Sequence, residues 1–155
     1  ETATAAAGEE LSAVLDHGLR DNYYEARAAA AEAVRDLAPS LPQSARHQLT
    51  LTLARLVTDA SFEVRMAGCQ ALGHVADRPD PATTALARLH FDPVWKVRGA
   101  LFETYARLAE RGVLAPDTAR TALDSILITA NGYLTEYQIR HHRNEAMRRV
   151  PRTED

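Results

Sequence analysis

An all-α chain of stacked helical hairpins is what this sequence predicts, and three observations predict it. Only 7 Gly and 7 Pro interrupt 155 residues rich in Ala, Leu, Arg and Glu, a composition that favours helix throughout. Apolar residues recur at helical spacing between the breaks. One stretch, Asp92 to Leu108, is written more than once. Asp59 opens a copy, with Phe62, Val64, Arg65, Ala67 and Val75 in the places of Trp95, Val97, Arg98, Ala100 and Leu108. Asp21 opens another, with Tyr24, Ala26, Arg27, Ala29 and Leu37.

The elements follow in order. Glu9 to Leu19 places Leu11, Val14, Leu15 and Leu19 on a helix that ends at Gly18 and the Arg20-Asp21-Asn22 break. Tyr23 to Leu37 is the first repeated helix. Pro39 and Pro42 stop it, and Ser40 is the candidate N-cap of the next helix, Gln43 to Val57. Phe62 to Ala76 is the second repeated helix. Asp80-Pro81 opens a short helix from about Ala82 to His90. Asp92-Pro93 opens the third repeated helix, which runs to about Arg111 and stops at Gly112. Pro116-Asp117 starts a helix to about Ala130, and Asn131-Gly132 stops it. Leu134 to Arg149 is the last, closed by Pro151. A fourth copy fits that last helix, with Tyr137, Ile139, Arg140, Ala146 and Val150 in the recurrent places and Leu134 where the others have Asp.

These helices form four pairs, a first helix A and a second helix B. Their connections are short enough to make each pair antiparallel. The pairs fall near 1–38, 39–77, 78–112 and 113–150 of a single domain. Opening aspartates 38 and 33 residues apart give a solenoid's period. The Asp-x-x-aromatic-x-Val-Arg-x-Ala pattern resembles a HEAT repeat, an armadillo-like α-solenoid, over nearly the whole chain. The resemblance implies a right-handed α-solenoid of about four helical hairpins, with the B helices lining a concave face. The residues suit this. Asp at each A–B turn can cap its B helix. Arg27, Arg65 and Arg98 can reach such an aspartate in their own or a neighbouring repeat. Small Ala29, Ala67, Ala100, Gly68 and Gly99 let helices approach closely.

Bulk properties narrow the function classes. A net charge of -3 and a pI near 6.1 give no overall attraction to nucleic acid or anionic membranes. No apolar run nears the roughly 18 residues of a bilayer span, and no secretory signal opens the chain. The single cysteine, Cys69, excludes an internal disulfide and a Cys-based zinc site and suits a reducing, cytoplasmic setting. The Ala/Thr-rich start at Glu1 reads as part of a longer protein, with an N-terminal end open to self-association. Neither a phosphate-binding Gly-rich loop nor a Gly-x-Ser-x-Gly elbow occurs. No enzyme activity, cofactor or metal is therefore expected. The His141-His142 pair with Glu145 offers an i,i+4 His/Glu face, two ligands on one helix turn without a convincing third. The paired His-Glu motifs that supply iron ligands in some HEAT-like enzymes have no counterpart here.

The angular arrangement of the B helices locates a candidate site. The side opposite the Val–Ala–Leu core stripe holds the aromatic position and those 4, 7 and 11 residues on. In the second copy that side is Phe62, Met66, Cys69 and Gly73, and in the third Trp95, Gly99, Phe102 and Ala106. Both helices are thus apolar nearly all round. Either neighbouring helices bury three sides of each, or the concave face holds an aromatic-floored groove rimmed by Glu32, Gln70, Glu103 and Glu145. The second reading predicts a non-enzymatic interaction or scaffold module that takes a partner peptide or helix on Phe62, Met66, Trp95, Phe102, Glu103 and Tyr137. The alternative is nucleic-acid binding through Arg140, Arg143, Arg148 and Arg149. Between 137 and 152 five arginines face Glu145 alone, +4 in a chain whose remainder is -7. A terminal helix with a solvated positive face accounts for the same charges.

Overall fold

Eight α-helices and no strand make up the residues that the computed structural model describes, 2–153. They are α1 (Thr2–Leu19), α2 (Tyr24–Leu37), α3 (Gln43–Leu56), α4 (Phe62–Val75), α5 (Ala82–Ala87), α6 (Trp95–Glu110), α7 (Pro116–Ser125) and α8 (Tyr133–Arg149), with a 3-10 turn at Ala38–Ser40. The B helices form one row, α2 on α4, α4 on α6 and α6 on α8. In a second row α1 adjoins α3 and α3 adjoins α5, while α7 packs on α6 and α8. Leu49, Leu53, Val64, Leu72, Val97, Leu101, Leu108 and Leu123 are fully enclosed between the rows. Each such side chain contributes roughly 1.5–3 kcal/mol by leaving water.

Several boundaries depart from the sequence expectation for identifiable reasons. α1 starts at Thr2 rather than Glu9, because Ala3, Ala5, Ala6 and Ala7 are strong helix formers. α3 is entered through Pro42, with no side-chain cap from Ser40. α7 ends at Ser125, not near Ala130. There the β-branched Ile126, Ile128 and Thr129 leave the helix, Ile126 is buried, and the Leu127 N–H donates to the His90 carbonyl at 2.9 Å. Gly132 does not end α7; it is the N-cap of α8, with φ +129°. Gly112 does stop α6, at φ +73°. Its N–H donates to Ala109 (3.0 Å) and the Val113 N–H to Leu108 (2.9 Å), the paired bonds of a Schellman turn.

The aspartates and arginines of the repeat lock neighbouring turns together. Arg27 donates through Nε and Nη2 to the Asp59 carboxylate at 2.8 and 3.1 Å, and Arg65 does the same to Asp92 at 2.8 and 3.1 Å. Each arginine therefore takes the aspartate of the next repeat. The aspartates do not cap the helix itself. Each accepts the N–H two residues on, at Tyr23 (2.9 Å), Ser61 (3.0 Å) and Val94 (2.9 Å), so it shapes the turn that leads into the helix. Partial burial opposes ionisation of Asp59, but the Arg27 guanidinium and the Ser61 N–H outweigh it and hold the carboxyl below the usual range.

The small residues divide into two groups. A Cβ on Gly68 would lie 3.2 Å from Leu56 Cβ, and one on Gly73 3.3 Å from Thr104 Cα, so these positions set how closely α4 meets α3 and α6. Ala29 is exposed, and a Cβ on Gly99 would meet nothing within 4 Å. These two face the open side of the B row, contrary to the close-approach role expected from sequence.

Candidate functional site

Solvent reaches the B helices along rows that step by four residues. On α4 the row is Phe62, Met66, Gln70 and His74; on α6 it is Trp95, Gly99, Glu103 and Arg107. Such a row is inclined to the helix axis, so the open line leaves the side defined by 4, 7 and 11 within one turn. Phe102 is only 2% exposed and belongs to the core, as do Cys69, Gly73 and Ala106. Phe102 is therefore no surface anchor: α4, α7 and α8 surround α6 and cover that side.

The C-terminal half of this face is polar rather than an apolar groove. Arg35 Nη1 donates to Gln70 Oε1 at 3.3 Å, and Arg107 Nη2 to Glu103 Oε1 at 3.0 Å. Arg149 from α8 donates to Glu103 and, through Nε, to Glu110 Oε1 at 2.6 Å. Partial burial disfavours the Glu103 charge, yet Arg149 and Arg107 hold its carboxyl below the usual range. His74 is pushed below the ordinary imidazole value by burial and by Arg107, Arg35 and Arg111. Of the expected rim, Glu32, Glu103 and Glu145 are exposed; Glu103 and Glu145 are held in ion pairs with arginines, and Gln70 accepts from Arg35.

The N-terminal half is apolar. Trp95 is 39% exposed, Tyr24 and Tyr137 are exposed, and Phe62 and Met66 lie half-buried against the core. Among the described residues ten large apolar side chains are exposed. Eight of them, Tyr23, Tyr24, Phe91, Trp95, Leu127, Tyr133, Leu134 and Tyr137, lie in the A–B connections or within the first five residues of B helices. That concentration marks one edge of the molecule rather than a random scatter. Lys96, the sole lysine of the sequence, is exposed next to Trp95.

The basic helix α8 is partly neutralised. Arg148 pairs with Glu145 and Arg149 with Glu103 and Glu110. Arg140 and Arg143 make no ion pair among the described residues, and Arg140 is exposed beside His141 and His142.

Cys69, His90 and Tyr105 are buried. Burial pushes the Cys69 thiol up to about 12, although Thr104 Oγ1 at 3.4 Å opposes this. A thiol so placed is not a nucleophile at neutral pH. Sequence reading missed a pair across α5–α6 and α6: His90 Nε2 lies 2.6 Å from Tyr105 Oη. The pair lines a cavity of about 450 Å³ together with Thr83, Asp117 and Thr121. Burial lowers the His90 pKa and raises that of Tyr105, keeping both neutral. The two residues come from different elements, and only a tyrosine inside an otherwise apolar stripe hinted at them. Among the described residues no three His, Cys, Asp or Glu converge to hold a metal, and no helix is long and apolar enough to cross a membrane.

No family model and no curated protein matches this chain. Among solved structures it is similar to the crystal structure of an engineered protein, with a TM-score of 0.60 and 21% sequence identity over 91% of this chain and 62% of that one. A likeness at this identity is one of fold. This chain spans about 62% of the length of that structure.

Proposed function

We propose that this chain is a non-enzymatic protein-interaction module, a right-handed α-solenoid of four HEAT-like hairpins that takes a partner peptide along the N-terminal ends of its B helices. Helices that contact mainly their neighbours in the row support the solenoid. The observation that carries the interaction is the gathering of eight exposed apolar side chains at the A–B edge. Phe62, Met66, Trp95 and Tyr137 are the expected anchors, and partial exposure leaves them surface to bury against a partner. Glu103 serves the protein's own ion pairs instead. The test is a selection of peptides from a random library on the purified protein, repeated on Trp95→Ala. The variant should keep its helical circular dichroism, lose less than about 1 kcal/mol of stability and lose the selected binders. Binders indifferent to the substitution, or an unfolded variant, sink the proposal.

Nucleic-acid binding through α8 is the second reading, favoured by Arg140 and Arg143, which make no ion pair among the described residues. It requires a gel shift with duplex DNA that strengthens as salt is lowered. Absence of a shift at low salt removes it.

A further inference from the structure

We propose that Arg98 forms a carboxylate-binding site, built for an aspartate that none of the described residues supplies. This inference deepens the turn-edge reading above and rests on it. Arg27, Arg65 and Arg98 stand four residues after the N-caps Tyr23, Ser61 and Val94. All three use Nη1 on the carbonyl of their own turn's aspartate, at 2.8, 2.9 and 2.5 Å. Arg27 and Arg65 then present Nε and Nη2 to a carboxylate. Arg98, at 3% exposure, does not: Nη2 donates to the Thr129 carbonyl at 2.5 Å and buried Nε has no partner among the described residues.

Counting back from the N-caps explains the vacancy in the pattern. Asp21, Asp59 and Asp92 each lie two residues before their N-cap. The same place before Gly132 is Ala130. The Gly132 N–H, lacking a side-chain acceptor, donates to the Ala130 carbonyl at 2.9 Å. Glu136 does not substitute; its Oε1 accepts the Ala130 N–H at 3.2 Å. A cavity of about 240 Å³ lies there, lined by Arg98, Trp95, Ala130, Asn131 and Thr135 among others. A buried guanidinium with an open donor is costly, and a forked carboxylate is the partner its geometry fits.

The occupant is an aspartate in a turn of a partner protein. Asp59 and Asp92 bind their arginines while accepting their own i+2 N–H groups, so the chain carries two examples of the ligand. The incoming carboxylate bridges Nε and Nη2 and displaces the Thr129 carbonyl, and the residues after it pack on Trp95.

The probe is the acetylated, amidated peptide Asp-Pro-Val-Trp-Lys, a copy of Asp92–Lys96. Its Asn version and a Pro-Val-Trp peptide with a free C-terminal carboxylate serve as comparisons. All are titrated to millimolar concentration against the nitrogen-15 protein by NMR. The Asp peptide should move the Arg98 Nε–H signal saturably. The Asn peptide should bind at least about tenfold more weakly, and Ala130→Asp should block binding by filling the cavity from within. An Arg98 signal that does not move, or Asn binding equal to Asp, overturns the site; this contrast uses the unaltered protein and does not depend on any variant folding. Binding by the free C-terminus alone overturns the aspartate assignment. Shifts at Trp95 to Gly99 with Arg98 silent would leave the turn-edge reading standing without the carboxylate site, whereas no shift anywhere removes both.

Discussion

The α4–α6 and α6–α8 junctions begin from the same sequence pattern and close differently. At the first, Arg65 forks Asp92, Gly73 admits Thr104, and Arg111 donates to the Gly73 and Ala76 carbonyls at 2.7 Å each. At the second, Arg98 meets a carbonyl, and half-exposed ion pairs from Arg149 provide the polar contact. α8 buries only Ile139 and Ala146 along its length. The arginine is present at both. What differs is the residue the following turn brings, so stacking strength resides in the pair and not in either motif alone.

The contrast can be broken from its strong side. Asp92→Ala leaves the partly buried Arg65 without its carboxylate and frees the Val94 N–H; the expected loss is about 3 kcal/mol, read by denaturant or thermal unfolding. Gly73→Ala forces a Cβ against Thr104 and should cost about 1–3 kcal/mol. From the weak side, Ala130→Asp supplies the missing carboxylate to Arg98 and should raise stability by about 1–2 kcal/mol. A destabilised Ala130→Asp protein would mean that the α8 turn cannot adopt the geometry of the other three.

Acid tests the aspartate lock directly. The folded Asp59 carboxyl titrates below its unfolded value, because Arg27 and the Ser61 N–H outweigh its partial burial. As pH falls, the unfolded chain takes up this proton first. The contribution is therefore complete above the unfolded value of about 4 and is lost as pH falls through the folded value. Asp59→Asn should lower the melting temperature at neutral pH and flatten its decline below about pH 4. The smallest effect is expected at Gly99, where open space surrounds the Cβ position. Gly99→Ala should stabilise α6 by about 0.5–1 kcal/mol, the reverse of the effect at Gly73.

Helix positions and the Asp–Arg pattern were legible in the sequence because both are local: spacing, breakers and a repeated motif suffice. The open face was not. A helical wheel places Phe102 beside Trp95, but it contains no neighbours, and the inclined packing of α6 exposes Glu103 and Arg107 instead. The last repeat starts one turn earlier than its periodicity suggests, for a related reason. Tyr133 and Tyr137 lie one turn apart on the same side, so periodicity fits either; only the N-cap at Gly132 identifies Ala130, rather than Leu134, as the aspartate position. The His90–Tyr105 pair had no sequence signal beyond the polarity of its members, because the turn after α5 brings them together.

Trp95 is the only tryptophan in the chain and Lys96 its only lysine, and both sit on the exposed apolar edge. The protein therefore carries an intrinsic optical reporter at one place. Its indole emission reports the polarity of that edge without contribution from elsewhere. A dye coupled to the adjacent side-chain amine would stand within quenching range of it. Everywhere else the cationic side chains are arginines, which amine reagents leave untouched, including those that hold the repeats together.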